Sequence, residues 1–141
     1  MPLLRTLSYS AALALAAAVV PAAAAHADVA VTLVDIGDGT LLARGAGVSV
    51  PVTVTCSSEP LSGANGYLQT SLSQRKGQSL VQGGTGTPVS TCDGTPHTYT
   101  VVVIGNGAFR AGEAIATGSL EACDNVNCDR ITTNEVILIK R

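Results

Sequence analysis

Apolar and β-branched residues recur at every second position along most of this chain, and no segment keeps a sustained helical period. Val29, Val31 and Leu33 alternate with Ala30 and Thr32 in a first strand ending near Asp35, and Asp38-Gly39 turns the chain toward a short second strand over 41–44. Val48, Val50, Val52 and Val54 then alternate with Ser49, Pro51, Thr53 and Thr55, and Cys56 shares the valine face. Because proline cannot donate to a ladder, a bulge or a sheet edge is expected beside Pro51. Between Tyr67 and Gln74, Leu68, Thr70 and Leu72 face one way and Gln69, Ser71 and Ser73 the other. Arg75-Lys76-Gly77-Gln78 reads as a hairpin turn and 79–82 as a short return strand. The run 83–96 is polar and rich in Gly, Thr and Pro, and is expected to be one long exposed loop. The strongest strand follows at 97–104. His97, Tyr99, Val101 and Val103 lie on one of its faces and Thr98, Thr100, Val102 and Ile104 on the other, a pattern that predicts a place in mid-sheet. Turns flank Phe109, the face Ala114, Ala116, Gly118, Leu120 and Ala122 marks another strand, 123–128 is a reversal, and 131–139 is the last strand. About seven short strands at this turn spacing predict an all-β, immunoglobulin-like two-sheet sandwich.

The N-terminus carries a different pattern. Arg5, the small apolar run 11–20, Pro21 and the ending Ala25-His26-Ala27 make a secretory signal peptide over 1–27, leaving 28–141 as one domain. The expected product is secreted and extracellular, not inserted in a membrane, and monomeric. Loss of Arg5 leaves seven of the eight basic side chains against ten acidic ones. Only Arg75-Lys76 and Lys140-Arg141 are adjacent basic residues, so nucleic acid or anionic lipid as the main partner is disfavoured.

The four cysteines, Cys56, Cys92, Cys123 and Cys128, all follow the leader, and an even count in an exported chain implies two disulfides. In an antiparallel sandwich the end of the strand at Cys56 abuts the start of the strand after Cys92. This pairs Cys56 with Cys92 and Cys123 with Cys128.

Candidate chemistry is sparse. His97, four residues after Asp93, is the one histidine beyond the leader, and at a strand entrance it is read as structural. Asp124, Asn125, Asn127 and Asp129 lack the glycine and closing glutamate of a calcium loop. Gly83-Gly84-Thr85-Gly86 and Gly105-Asn106-Gly107 lack the Lys-Ser/Thr of a phosphate loop and open no helix. No catalytic residue, metal ligand or cofactor is assigned.

Val-Thr-Val-Thr-Cys at 52–56, Cys-Asp-Gly-Thr-Pro-His at 92–97, Val101-Val102-Val103 and the run from Phe109 to Ala116 together resemble a family of small secreted actinobacterial immunoglobulin-like proteins of unknown function. The resemblance covers about 48–116 and implies the sandwich and the Cys56–Cys92 bridge. Many relatives carry tryptophan where this chain has Tyr99, and the Cys123–Cys128 clip is an addition. A weaker similarity is to enediyne-binding apoproteins of the neocarzinostatin type, in size, sandwich class and a Cys-x4-Cys loop. Secreted subtilisin inhibitors share size and disulfide count.

The resulting expectation is a secreted, non-catalytic binding or surface-interaction module without a cofactor. A small-molecule, chromophore-type carrier is the second reading and a protease inhibitor the third. The interaction surface is expected in loops at one end, at Gly83, Gly84, Thr85, Gly86 and Thr87 with Asp93 and Gly94, together with 63–66. An open cavity between the sheets, lined by Tyr67, Tyr99 or Phe109, would mark a carrier; a filled interior with a projecting loop would mark a protein partner.

Overall fold

A computed structural model describes residues 29–58 and 64–141; the leader expected over 1–27 and residues 59–63 after Cys56 lie outside them. The alternating β-branched segments form eight strands: β1 (Val29–Ile36), β2 (Gly39–Leu42), β3 (Gly47–Ser58), β4 (Asn65–Lys76), β5 (Ser79–Val89), β6 (His97–Ile104), β7 (Gly112–Cys123) and β8 (Cys128–Lys140). One layer is β1-β3-β6 and the other β5-β4-β7-β8, all with antiparallel neighbours. The short β2 joins the layers along one side, antiparallel to β3 and parallel to β8 through Gly39 and Thr40. Along the other side, a bridge between Gly83 and Gly105 and an Asn106 N–H donated to Gln82 O at 2.8 Å tie β5 to the end of β6. The protein is an immunoglobulin-like β-sandwich.

The interior is filled by the inward positions. Val48, Val50, Val52 and Val54 from β3 meet Leu68 and Leu72 from β4, Val101 and Val103 from β6 and Leu120 from β7, all buried. Burying each such side chain contributes about 1.5–3 kcal/mol. The small residues of β7 have a packing reason. Gly118 leaves the space that β1 occupies, since a Cβ there would sit 2.9 Å from Val34 Cγ1.

Three local expectations are corrected. Gly83 to Thr87 is not loop: β5 pairs with β4 residue by residue, from Lys76↔Ser79 to Gly66↔Val89, so only 90–96 connects it to β6. Once the turn at Gly77 (φ 61°) sets the hairpin register, β4 supplies the ladder partners, and the glycines need no side chains of their own to stay paired. Second, β6 is not in mid-sheet. It pairs along its length with β3 alone, and Val102 and Ile104 point to solvent at 45% and 68% exposure. Its β-branched residues fit a half-buried pleated surface as well as a buried one. Third, Pro51 lies on a strand flanked on both sides. Ladder residues send N–H and C=O to the same neighbour, and Pro51 O accepts from Gly37 N–H at 2.9 Å, where β1 ends and β2 has not begun. The missing donor therefore falls at the gap between those strands.

Gln74 is an inward polar residue whose amide is paired at both ends. Buried at the end of β4, it donates from Nε2 to Arg110 O (2.9 Å) and Glu113 O (3.2 Å) and accepts Arg110 N–H on Oε1 (2.8 Å), pinning the β6–β7 connection. Gln74→Leu keeps the bulk and leaves three backbone groups short of a partner, so urea denaturation is expected to show a loss of about 2–3 kcal/mol. A loss below about 0.5 kcal/mol would show that solvent re-pairs those groups.

Candidate functional site

The residues singled out in the sequence are not brought together. Asp93 and Gly94 lie in the β5–β6 turn beside the Cys56–Cys92 bridge, whereas β5 carries Gly83 about 20 Å away from Val89 at the strand rise. Gly84 and Gly86 face outward and exposed on the four-stranded layer. Gly86 is covered from the next strand, because a Cβ at that position would overlap the Tyr67 hydroxyl. Tyr67 thus lies across β5 on the outer face, not in the interior, and it is half exposed. Val81 and Val89, buried at the same parity, are the sequence signal that β5 runs on through the glycines.

Cross-strand register arranges the outer face of β5-β4-β7-β8 in rows. Pro88, Tyr67, Glu121 and Arg130 form one row, with Arg130 and Glu121 ion-paired. The next two rows are small and polar, Gly86-Gln69-Ser119-Thr132 and Gly84-Ser71-Thr117-Asn134. They are knitted by Thr132 Oγ1 donating to Ser119 Oγ (2.9 Å) and Thr117 Oγ1 to Asn134 Oδ1 (2.6 Å). Beyond them the face turns apolar: Leu80, Ile115, Val136 and Leu138 are each about half or more exposed. Leu80, Ile115 and Val136 line a cleft of about 840 Å³ that Arg75, Lys76 and Glu113 also border. Four large aliphatic side chains left in water on one face are the strongest sign of an interaction surface in the fold.

Asp93, Thr95 and His97 form a tight polar turn. Asp93 Oδ1 accepts from the Thr95 hydroxyl (2.7 Å) and the Thr95 N–H (2.9 Å) and lies 3.0 Å from His97 Nε2. Thr95 Oγ1 lies 3.1 Å from the same ring nitrogen. A base that activates a hydroxyl while an acid orients it uses opposite ring nitrogens; here both partners share Nε2, so the geometry suits a turn clamp. Gly94 (φ 82°) closes the turn by donating its N–H to Cys56 O at 2.9 Å.

The Thr95 hydroxyl first, then the Thr95 N–H and His97, hold the Asp93 carboxyl well below the usual carboxylate range. Since the folded value is depressed, the stability it adds is present above the unfolded value of about 4 and is lost as pH falls through the folded value. In a carboxyl-carbon NMR titration Asp93 is expected to stay ionised at pH values where ordinary aspartates are protonated, and Thr95→Val is expected to raise it. An ordinary midpoint in the wild type would contradict the clamp.

The bridges join Cys56 to Cys92 (Cα–Cα 4.6 Å) and Cys123 to Cys128 (4.0 Å), the pairing expected from strand adjacency, and no described cysteine is free. The short clip closes a hairpin in which Asp124 Oδ1 accepts from Val126 N–H (2.7 Å) and Asn127 N–H (2.6 Å). Among the described residues no group of three or more His, Cys, Asp or Glu is placed to hold a metal ion, and no helix is long and apolar enough to cross a membrane. Neither the protein-family models nor the curated proteins compared with the chain give a match.

Proposed function

We propose that this protein is a secreted, non-catalytic binding module that contacts its partner with the outer face of β5-β4-β7-β8. The observation that carries the reading is the exposed Leu80-Ile115-Val136-Leu138 patch beside its cleft. Two disulfides within residues 29–141 suit an oxidising compartment, and with the leader read at 1–27 this supports export. On this reading the chain belongs with the small secreted immunoglobulin-like proteins it resembles.

The interior is packed around Phe109 and aliphatic residues, so a carrier in this fold would use the open 840 Å³ cleft and not a space between the sheets. That volume falls within the range of small-molecule sites and keeps the carrier as the second reading. A protease inhibitor of this size would present a reactive loop, and the run before Cys92 expected as loop is paired with β4 as far as Val89.

The test is affinity capture from culture supernatant with the mature protein and with Ile115→Lys/Val136→Lys, both outward-facing. Charge on the patch is expected to lower recovery of the captured species at least about tenfold with an unchanged thermal midpoint. Unchanged capture would move the surface elsewhere. A captured macromolecule supports the module, and a captured small molecule the carrier.

A further inference from the structure

The fold gathers basic side chains that the sequence scatters. Of the seven in residues 29–58 and 64–141, Arg130 and Lys140 are ion-paired to Glu121 and Asp38. The other five all border two adjoining clefts at the end of the sandwich where β4 ends and β7 begins. Asp93, Asp124 and Asp129 lie at the opposite end, near the disulfides, so the domain is charge-polarised along its strands.

The smaller of the two clefts, about 550 Å³, is bordered by Arg44, Arg110 and Arg141 together with Leu41, Phe109 and Ala111, and by no acidic side chain. No hydrogen bond or ion pair joins any of these three guanidinium groups to another described residue. Three like charges facing one space repel each other, and an anion among them would relieve that repulsion.

The backbones that carry them are fixed. Arg110 is held on both its N–H and C=O by Gln74. Arg141 follows Lys140, which is paired with Thr40 in the parallel bridge and with Asp38 through its amine (2.7 Å). Arg44 sits in a left-handed turn, with Ala43 at φ 44° and Arg44 at φ 59°, and the turn is locked where Gly45 O accepts Phe109 N–H at 2.8 Å. Gly45 (φ 93°) permits that approach, since a Cβ there would overlap Phe109 O. Glycine or asparagine would adopt the Arg44 conformation at less cost, yet an arginine occupies it and lines the cleft. Anchored backbones lower the ordering cost of binding.

We propose that the Arg44-Arg110-Arg141 cleft binds a phosphomonoester group. Three guanidinium forks arriving from three chain segments match the three free oxygens of a tetrahedral dianion, whereas a planar carboxylate is filled by a single bidentate fork. Leu41 and Ala111 give the carbon side of the ester an apolar wall. The phosphate can belong to a soluble ester or to a phospholipid headgroup. This site is separate from the sheet-face patch and does not depend on it.

The test is a titration of the disulfide-intact protein at low salt with glycerol 3-phosphate, followed by ¹H–¹⁵N spectra that include the arginine side-chain signals. A parallel arm measures sedimentation with phosphatidylcholine vesicles with and without phosphatidic acid. Saturable shifts at Arg44, Arg110 and Arg141 are expected, weakened about tenfold by Arg44→Gln or Arg110→Gln and changed less than about twofold by Arg130→Gln. Arg44→Gly removes the side chain and the strain together. It is expected to bind as weakly as Arg44→Gln while melting no lower than wild type, which separates a ligand role from a folding role. Binding in the first arm alone indicates a soluble ester, and binding in the vesicle arm alone a lipid headgroup; either supports the site. No saturable shift in either arm overturns the proposal, as does equal weakening by Arg130→Gln, the sign of diffuse charge attraction.

Discussion

Replacing Phe109 with alanine is expected to lower the unfolding free energy by about 3–5 kcal/mol, read as a fall in the urea midpoint with an unchanged m-value. Phe109 is the only phenylalanine in the chain and is 2% exposed. Tyr67 lies on the outer face and Tyr99 is half-buried against the core, so among the described residues Phe109 is the one fully buried aromatic ring. The ring closes the end of the sandwich next to Gly105, where a Cβ would come 2.7 Å from Phe109 Cε2, and its backbone N–H holds the left-handed turn at Gly45. The core it belongs to is largely valine and alanine on paired strands. Their rotamers are stiff and their backbones fixed, so the cavity collapses little. Phe109→Leu retains most of the volume and is expected to cost less than about 1.5 kcal/mol. A loss under about 1 kcal/mol for the alanine variant would mean that the interior relaxes around the gap.

The second large effect is the removal of the long bridge. Cys56 and Cys92 are separated by 36 residues in sequence and Cys123 and Cys128 by 5. Through the entropy of the unfolded chain, the first is expected to contribute about 4 kcal/mol and the second about 2 kcal/mol. The paired alanine substitutions at Cys56 and Cys92 are therefore expected to lower the thermal midpoint by roughly 15 °C, about twice the shift from the other pair. The long bridge also stands where β3 enters its pairing with β6 at Val54↔His97, and Gly94 docks on Cys56 O beside it. Its loss is expected to release the Asp93-Thr95-His97 clamp, seen as a rise of the Asp93 carboxyl toward the ordinary range. Equal effects from the two bridges would rule out loop-closure entropy as the source.

Much of this fold is present in period-two patterning. The valines of β3, the Leu68-Leu72 face of β4 and the small face of β7 each name the inward side correctly, because a pleated strand with one buried face must alternate. A separate inference, that the end of one antiparallel strand abuts the start of the next, puts Cys56 beside Cys92, and the two are bridged. Periodicity describes one strand at a time, however, and whether a strand has a neighbour on its second edge is a property of two. Thus Thr98, Thr100, Val102 and Ile104 read as a second covered face although β6 is an edge strand, and Gly83 to Thr87 read as loop although β4 pairs all of it. Glycine carries no side-chain pattern, and Gly86 is covered by Tyr67, which lies diagonally across on β4.

Charge divides in the same way. The sequence determined how few basic residues there are and that they are dispersed, which argued against a polyanion. Arg44, Arg110 and Arg141 are far apart along the chain, and they meet because β2, the β6–β7 connection and the end of β8 arrive at one end of the sandwich. Composition and local alternation follow from covalent order alone. Convergence of distant side chains exists only once strand register and the closing of the two layers set their positions in space.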